Sequence, residues 1–157
     1  MKTGREVKKV QSKDIEDTKA FAEFFVDFIE KEPESTGATI VSLCGDLGSG
    51  KTAFTKIFAR ILGVTDIVTS PTFILERIYK LPPGKKFRHL IHIDAYRLDS
   101  TKELQHLGFE DLVKDYSNLI IIEWPERVKE LIPSTAYTIT FTHTIPGERE
   151  ITFCVPV

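Results

Sequence analysis

The residues Gly45-Asp46-Leu47-Gly48-Ser49-Gly50-Lys51-Thr52 follow the pattern G-x-x-x-x-G-K-[ST], and the chemistry of that pattern is capture of a polyphosphate chain. Glycines let the backbone curl until successive N–H groups point inward at phosphate oxygens. Lys51 reaches the β- and γ-phosphates, and the Thr52 hydroxyl holds Mg²⁺. Ala53 adds a backbone N–H. The metal also needs an acid, delivered from the C-terminal end of a neighbouring strand. Two candidates stand at such ends: Glu123 after Leu119-Ile120-Ile121-Ile122, and Asp94 after Leu90-Ile91-His92-Ile93. A carboxylate at the edge of an apolar run is expensive to bury without a partner, and a metal or its water shell offsets that cost. The plainer reading of either acid is a cap on the turn that follows.

Other residues carry weaker signals. Ser70-Pro71-Thr72 lies where a switch loop would present Thr72 to the γ-phosphate, although such turns are common. His92 lies two residues before Asp94, on the same strand face, and reads by default as a core or edge histidine. Tyr96 and Arg97 follow Asp94; Arg97 reads either as a surface arginine or as a cation for transferring charge or a partner. Trp124, the single tryptophan, adjoins Glu123 at the rim of the expected site or packs there.

The elements that must position these groups are legible around them. Ala38 to Cys44 is apolar and β-prone, and Phe54, Ile57, Phe58, Ile61 and Leu62 share one helical face after the loop. The positive end of that helix dipole adds to the phosphate site. Gly63 ends the helix as a C′ residue. Upstream, Val7 to Gln11 reads as a strand. Asp14 caps a helix to about Lys31 whose stripe is Phe21, Phe24, Phe25 and Phe28. Downstream, the strands Phe73 to Tyr79 and Phe87 to Asp94 form an antiparallel hairpin around Pro82-Pro83-Gly84. Thr101 to Lys114 is helical with a break at Gly108. Asn118 to Glu123 is a central, doubly covered strand, and Pro125 opens a short helix through Leu131. Tyr137 to Thr142 and Glu150 to Val155 form a second hairpin. The expectation is a single α/β domain over 1–157, P-loop NTPase-like, with a mixed, mostly parallel sheet of about seven strands flanked by helices.

Composition narrows the function. With 157 residues, 41% hydrophobic and 28% charged, the chain is an ordinary globular domain. A net charge of −2 lacks the footprint of a nucleic-acid binder, so strong direct nucleic-acid binding is not expected. Lys80, Lys85, Lys86 and Arg88 read as a solvated hairpin tip. The charged N-terminus leads into no apolar signal region, no run reaches membrane-spanning length, and Cys44 and Cys154 read as buried thiols. Together these point to the cytoplasm.

With these segments in hand, the chain resembles the TsaE (YjeE) family, the bacterial P-loop ATPases required for threonylcarbamoyladenosine (t6A) modification of tRNA. The resemblance is carried by the phosphate loop, Ser70-Pro71-Thr72-Phe73, His92-Ile93-Asp94-Ala95-Tyr96-Arg97-Leu98 and Glu123-Trp124-Pro125-Glu126. It implies an ATPase that uses ATP and Mg²⁺ and docks on the TsaB–TsaD heterodimer. It associates Thr52 and Glu123 with the metal and Asp94 with hydrolysis, while Thr72, Tyr96, Arg97 and Trp124 are switch or partner residues. Many members carry a second threonine after G-K-T, where this chain has Ala53. Slow turnover in isolation is expected, since the sequence identifies no arginine finger. A GTPase is disfavoured because no N-K-x-D segment follows the loop. The competing readings are a small P-loop kinase and a nucleotide-dependent assembly switch whose hydrolysis is incidental. The adenine pocket is sought near Asp14, Thr18 and the C-terminal hairpin.

Overall fold

The computed structural model describes residues 4–69 and 75–157. Its strands are β1 (Arg5–Ser12), β2 (Thr39–Cys44), β3 (Glu76–Lys80), β4 (His89–Asp94), β5 (Asn118–Glu123), β6 (Tyr137–His143) and β7 (Arg149–Val155). They form one seven-stranded sheet in the order β1-β7-β6-β2-β5-β4-β3. Strand β2 runs parallel to β5 and β6, and β4 runs parallel to β5. Strand β7 is antiparallel to both β6 and β1, so β1 points with the central strands. Only β7 and β3 oppose them. The sheet is therefore mixed and mostly parallel, with β1 and β3 as its edge strands.

Helices cover both faces, as the unbroken apolar run Leu119–Ile122 of β5 requires. Successive side chains on a strand point to opposite faces, so Leu119 and Ile121 enter one core while Ile120 and Ile122 enter the other. The first core is filled by α1 (Ile15–Lys31) and α2 (Lys51–Leu62). Phe21 and Phe25 of α1 meet Phe54 and Phe58 of α2 there. The Phe25 ring lies 5.6 Å from Phe58 and 5.0 Å from Phe153, contacts worth about 0.5–1.5 kcal/mol per pair beyond burial. Asp14 caps α1 by accepting from Asp17 N at 3.0 Å. The second core is smaller and uses α3 (Thr101–His106) and α4 (Phe109–Lys114).

The same alternation aims the chemistry. Leu90 belongs to the α1/α2 core, so His92 and Asp94 follow it onto that face. Leu119 and Ile121 carry Glu123 there likewise. All three polar groups thus point toward the helix that begins at the phosphate loop.

The break expected at Gly108 is present: Gly108 at φ 79° turns the chain left-handed between the two short helices α3 and α4. Several other sequence expectations are corrected. The short helix expected from Pro125 through Leu131 is two 3₁₀ turns, Pro125–Arg127 and Lys129–Leu131, interrupted at Val128. Leu75 at φ 66° lies outside β3, and Phe73 falls outside the described residues. Lys86 is not a solvated tip residue: its ammonium donates to the Ile29 and Glu32 carbonyls at 2.7 and 2.8 Å, closing the C-terminus of α1. Cys44 and Cys154 are half-buried rather than buried, and both are free thiols. Among the described residues, no helix is long and apolar enough to cross a membrane.

Candidate functional site

The loop after β2 curls because its glycines permit it. Gly48 and Gly50 take φ of 75° and 107°, a left-handed conformation that side chains resist. At Gly45 a Cβ would lie 2.6 Å from the Phe141 carbonyl oxygen and from Ser49 Oγ, so only glycine lets the loop pass so close to β6. Ser49 N donates to Asp46 O at 3.0 Å, and Phe54 N donates to Gly50 O at 2.9 Å. The first turn of α2 therefore grows directly out of the loop. Among the described residues no side-chain hydrogen bond from the N-cap position, Gly50, closes that end of α2, and an uncapped helix N-terminus favours an anion.

Lys51 is 5% exposed. Its ammonium folds back over the loop, donating to the Gly45 carbonyl and, at 3.0 Å, to Asp46 O. It also lies 4.0 Å from the centre of the Trp124 ring. Burial lowers its pKa below the usual lysine range, and the charges of Glu123, Glu126, Asp94 and Asp46 work against that shift. Trp124 adopts φ 59°, a strained value for a bulky residue, and packs on Tyr96 with ring centres 4.9 Å apart.

Glu123 and Asp94 are register partners on β5 and β4. Glu123 is 2% exposed, and both of its oxygens are engaged. Thr52 Oγ1 donates to Oε1 at 3.2 Å, and His92 Nε2 lies 3.0 Å from Oε2. His92 is fully buried, and its Nδ1 has no hydrogen-bond partner among the described residues. Asp94 is held by a bond from Tyr96 N to its Oδ1 at 3.0 Å.

These residues surround one open cavity of about 630 Å³. Leu47, Gly48, Ser49, Gly50, Lys51, Thr52 and Ala53 form its floor. Asp94, Tyr96, Arg97, Glu123 and Trp124 form one wall, and Arg149 closes the other side. Gly45 and Asp46 lie behind the floor, their carbonyls engaged by Lys51. Thr72 falls outside the described residues. Asp14 and Thr18 do not line the cavity; Asp14 caps α1, and Thr18 Oγ1 meets Ser12 Oγ at 2.8 Å. The sequence did not single out Arg149, nor the pairing of His92 with Glu123.

Comparison with known proteins bears on this arrangement. Residues 12–151 match the family model described as threonylcarbamoyl adenosine biosynthesis protein TsaE. The tRNA threonylcarbamoyladenosine biosynthesis protein TsaE of Bacillus subtilis is 36% identical over 141 residues, 88% of this chain and 79% of its own length. The protein of the same name from Rickettsia prowazekii is 41% identical over 117 residues, 74% of this chain and 73% of its own length. The chain belongs to the TsaE family. Its fold agrees with the crystal structure of YdiB from Bacillus subtilis, at a TM-score of 0.73 and 28% identity, covering 100% of this chain and 90% of that one.

The TsaE cavity suits a magnesium–phosphate ligand. Its glycine floor is open above Gly48, where a Cβ would meet nothing within 4 Å. No cluster of three or more His, Cys, Asp or Glu among the described residues is arranged to hold a metal ion. A single carboxylate beside a hydroxyl is the donor set for an ion that takes its remaining ligands from phosphates and water, which is how Mg²⁺ binds.

Proposed function

We propose that this TsaE protein binds ATP·Mg²⁺ in the loop cavity and hydrolyses ATP in support of t6A modification of tRNA, acting on the TsaB–TsaD heterodimer. The observation that carries the nucleotide reading is the Thr52–Glu123 contact at 3.2 Å, which joins the first turn of α2 to the end of β5 beside the glycine cradle. The backbone N–H groups of Gly48 to Ala53 hold phosphate oxygens, and Lys51 leaves its carbonyl partners to neutralise the β- and γ-phosphates. Thr52 and Glu123 hold the ion, which when bound neutralises charge developing on the β- and γ-oxygens. His92 fixes the far oxygen of Glu123, so that Oε1 keeps its aim at Thr52. Asp94 orders the attacking water or the water around the ion from the adjacent strand. The pathway and the heterodimer partner rest on family membership. Exposed Leu47, at 75%, and Tyr96, at 37%, give the cavity rim an apolar contact surface for a protein partner.

Phosphate release, measured with and without purified TsaB–TsaD, tests this reading. Lys51→Ala is expected to lower turnover by roughly 100-fold or more, the scale on which charge stabilisation acts. Asp94→Asn is expected to slow hydrolysis while leaving ADP affinity within about threefold of wild type. ATP consumption that appears only when a phosphate acceptor is supplied would contradict the ATPase reading and favour a kinase.

A further inference from the structure

Lys51 shares its cavity with the carboxylates of Glu123 and Asp94. Burial lowers the pKa of its ammonium, and Glu123 is foremost among the charges that oppose the shift. A buried ammonium beside acids gains most by closing onto one of them. Lys51 does not. Among the described residues it makes no ion pair, and it donates to the Gly45 and Asp46 carbonyls instead. An ammonium carries three donors. The third has no oxygen partner among the described residues; the centre of the Trp124 ring lies 4.0 Å from Nζ. An aromatic face attracts a cation without neutralising it. The indole is itself held firmly. Trp124 directly follows the last residue of β5 and takes φ 59°, a conformation that persists in a bulky residue only where the surroundings over-determine it. Its ring packs against the second core and against Tyr96, 4.9 Å away. The Arg127 guanidinium lies in turn 5.9 Å from the Tyr96 ring.

We propose that Trp124 is a positioning residue for Lys51: its indole face keeps the ammonium over the phosphate loop and apart from the Glu123 carboxylate. The inference rests on the nucleotide-binding reading above and requires no contact between the indole and the nucleotide. Cation and acid then stay available to different parts of one ligand. Without the ring, Lys51 closes onto Glu123, and the loop loses the charge that meets phosphate. The strained backbone at Trp124 is the cost of aiming a ring, rather than an acid, at the lysine.

Calorimetric titration with ADP in EDTA, where no metal contributes, tests it on wild type, Trp124→Leu, Trp124→Phe, Glu123→Gln and the Glu123→Gln/Trp124→Leu double variant. Trp124→Leu keeps apolar bulk without a ring face, and is expected to bind ADP about tenfold more weakly, the scale of a lost charge-assisted contact. Trp124→Phe retains an aromatic face and is expected to stay within about threefold of wild type. With Glu123→Gln the carboxylate that captures Lys51 is gone, so adding Trp124→Leu is expected to change affinity by less than about threefold. A merely structural role would not depend on Glu123 in this way. A Trp124→Leu affinity within about twofold of wild type would overturn the proposal, as would equal losses in the Leu and Phe variants. So would a loss as large in the Glu123→Gln background as in wild type, which would mean that the ring touches the nucleotide itself. Urea unfolding without nucleotide gives an independent arm. The effects of Lys51→Met and Trp124→Leu on the unfolding constant are expected to depart from additivity by about two- to fivefold, and additive effects would contradict the contact. Wild-type protein that fails to bind ADP would instead sink the nucleotide reading, and the unfolding arm alone then decides whether Trp124 holds Lys51.

Discussion

Glu123 shows how much a single side chain carries here, since one oxygen meets Thr52 and the other meets His92. Its need for partners was legible, because a carboxylate ending four apolar residues is very costly to bury alone. The histidine was not legible in the same way. A strand histidine fits either face until the register between β4 and β5 brings it diagonally beside Glu123. Thr72 was read from a turn that lies outside the described residues. Cys44, at the foot of the loop, gives a prediction at this scale. Burial, with the charge of Glu126 adding to it, pushes its thiol up to about 11. The reactive thiolate is then scarce near neutrality and grows with pH. In a Cys154→Ser background, iodoacetamide labelling of Cys44 is expected to rise about 100-fold from pH 8 to pH 10, tenfold per pH unit. A plateau near pH 9 would mean that the thiol is not shielded as described.

Elements were easiest to read where the period was strong and the punctuation unambiguous. The phenylalanine stripe, the Asp14 cap and Gly63 as terminator gave α1 and α2 nearly to the residue. The segment after Pro125 was legible as a short helix but not as two 3₁₀ turns, because a proline at the first helical position suits a 3₁₀ turn as well as an α-helix, and the run is too short to arbitrate. The loop and the core beneath it also separate cleanly by substitution. Gly50→Ala is expected to abolish ADP binding, since both the φ of 107° and the Arg149 contact forbid a Cβ. Its stability, measured by urea unfolding, should fall by only about 1–3 kcal/mol, the scale of local backbone strain. Phe25→Ala is expected to do the reverse, costing about 3–5 kcal/mol through the cavity it leaves, with ADP affinity nearly unchanged in the folded fraction. Equal effects of the two variants on affinity would show that loop and core are not separable.

At the scale of the whole molecule, strand order makes the site, because a loop on β2 is flanked by β5 and β4 on one side and by β6 and β7 on the other. Neither that order nor, therefore, the arrival of Arg149 from a hairpin about 100 residues beyond the loop has a local signature. What the sequence did carry was the class of fold, the glycine cradle and the acids, because each has a local signature. The fold agrees with that of YdiB over the full chain. The central claim is that the glycine loop holds a polyphosphate while Thr52 and Glu123 hold its magnesium ion. Calorimetry of ADP binding with Mg²⁺ and with EDTA, on wild type and Glu123→Ala, tests it most directly. Wild type is expected to bind more tightly with Mg²⁺, and Glu123→Ala to lose that enhancement while keeping its metal-free affinity. An undiminished magnesium effect in Glu123→Ala, or no heat of binding in wild type, would contradict the account.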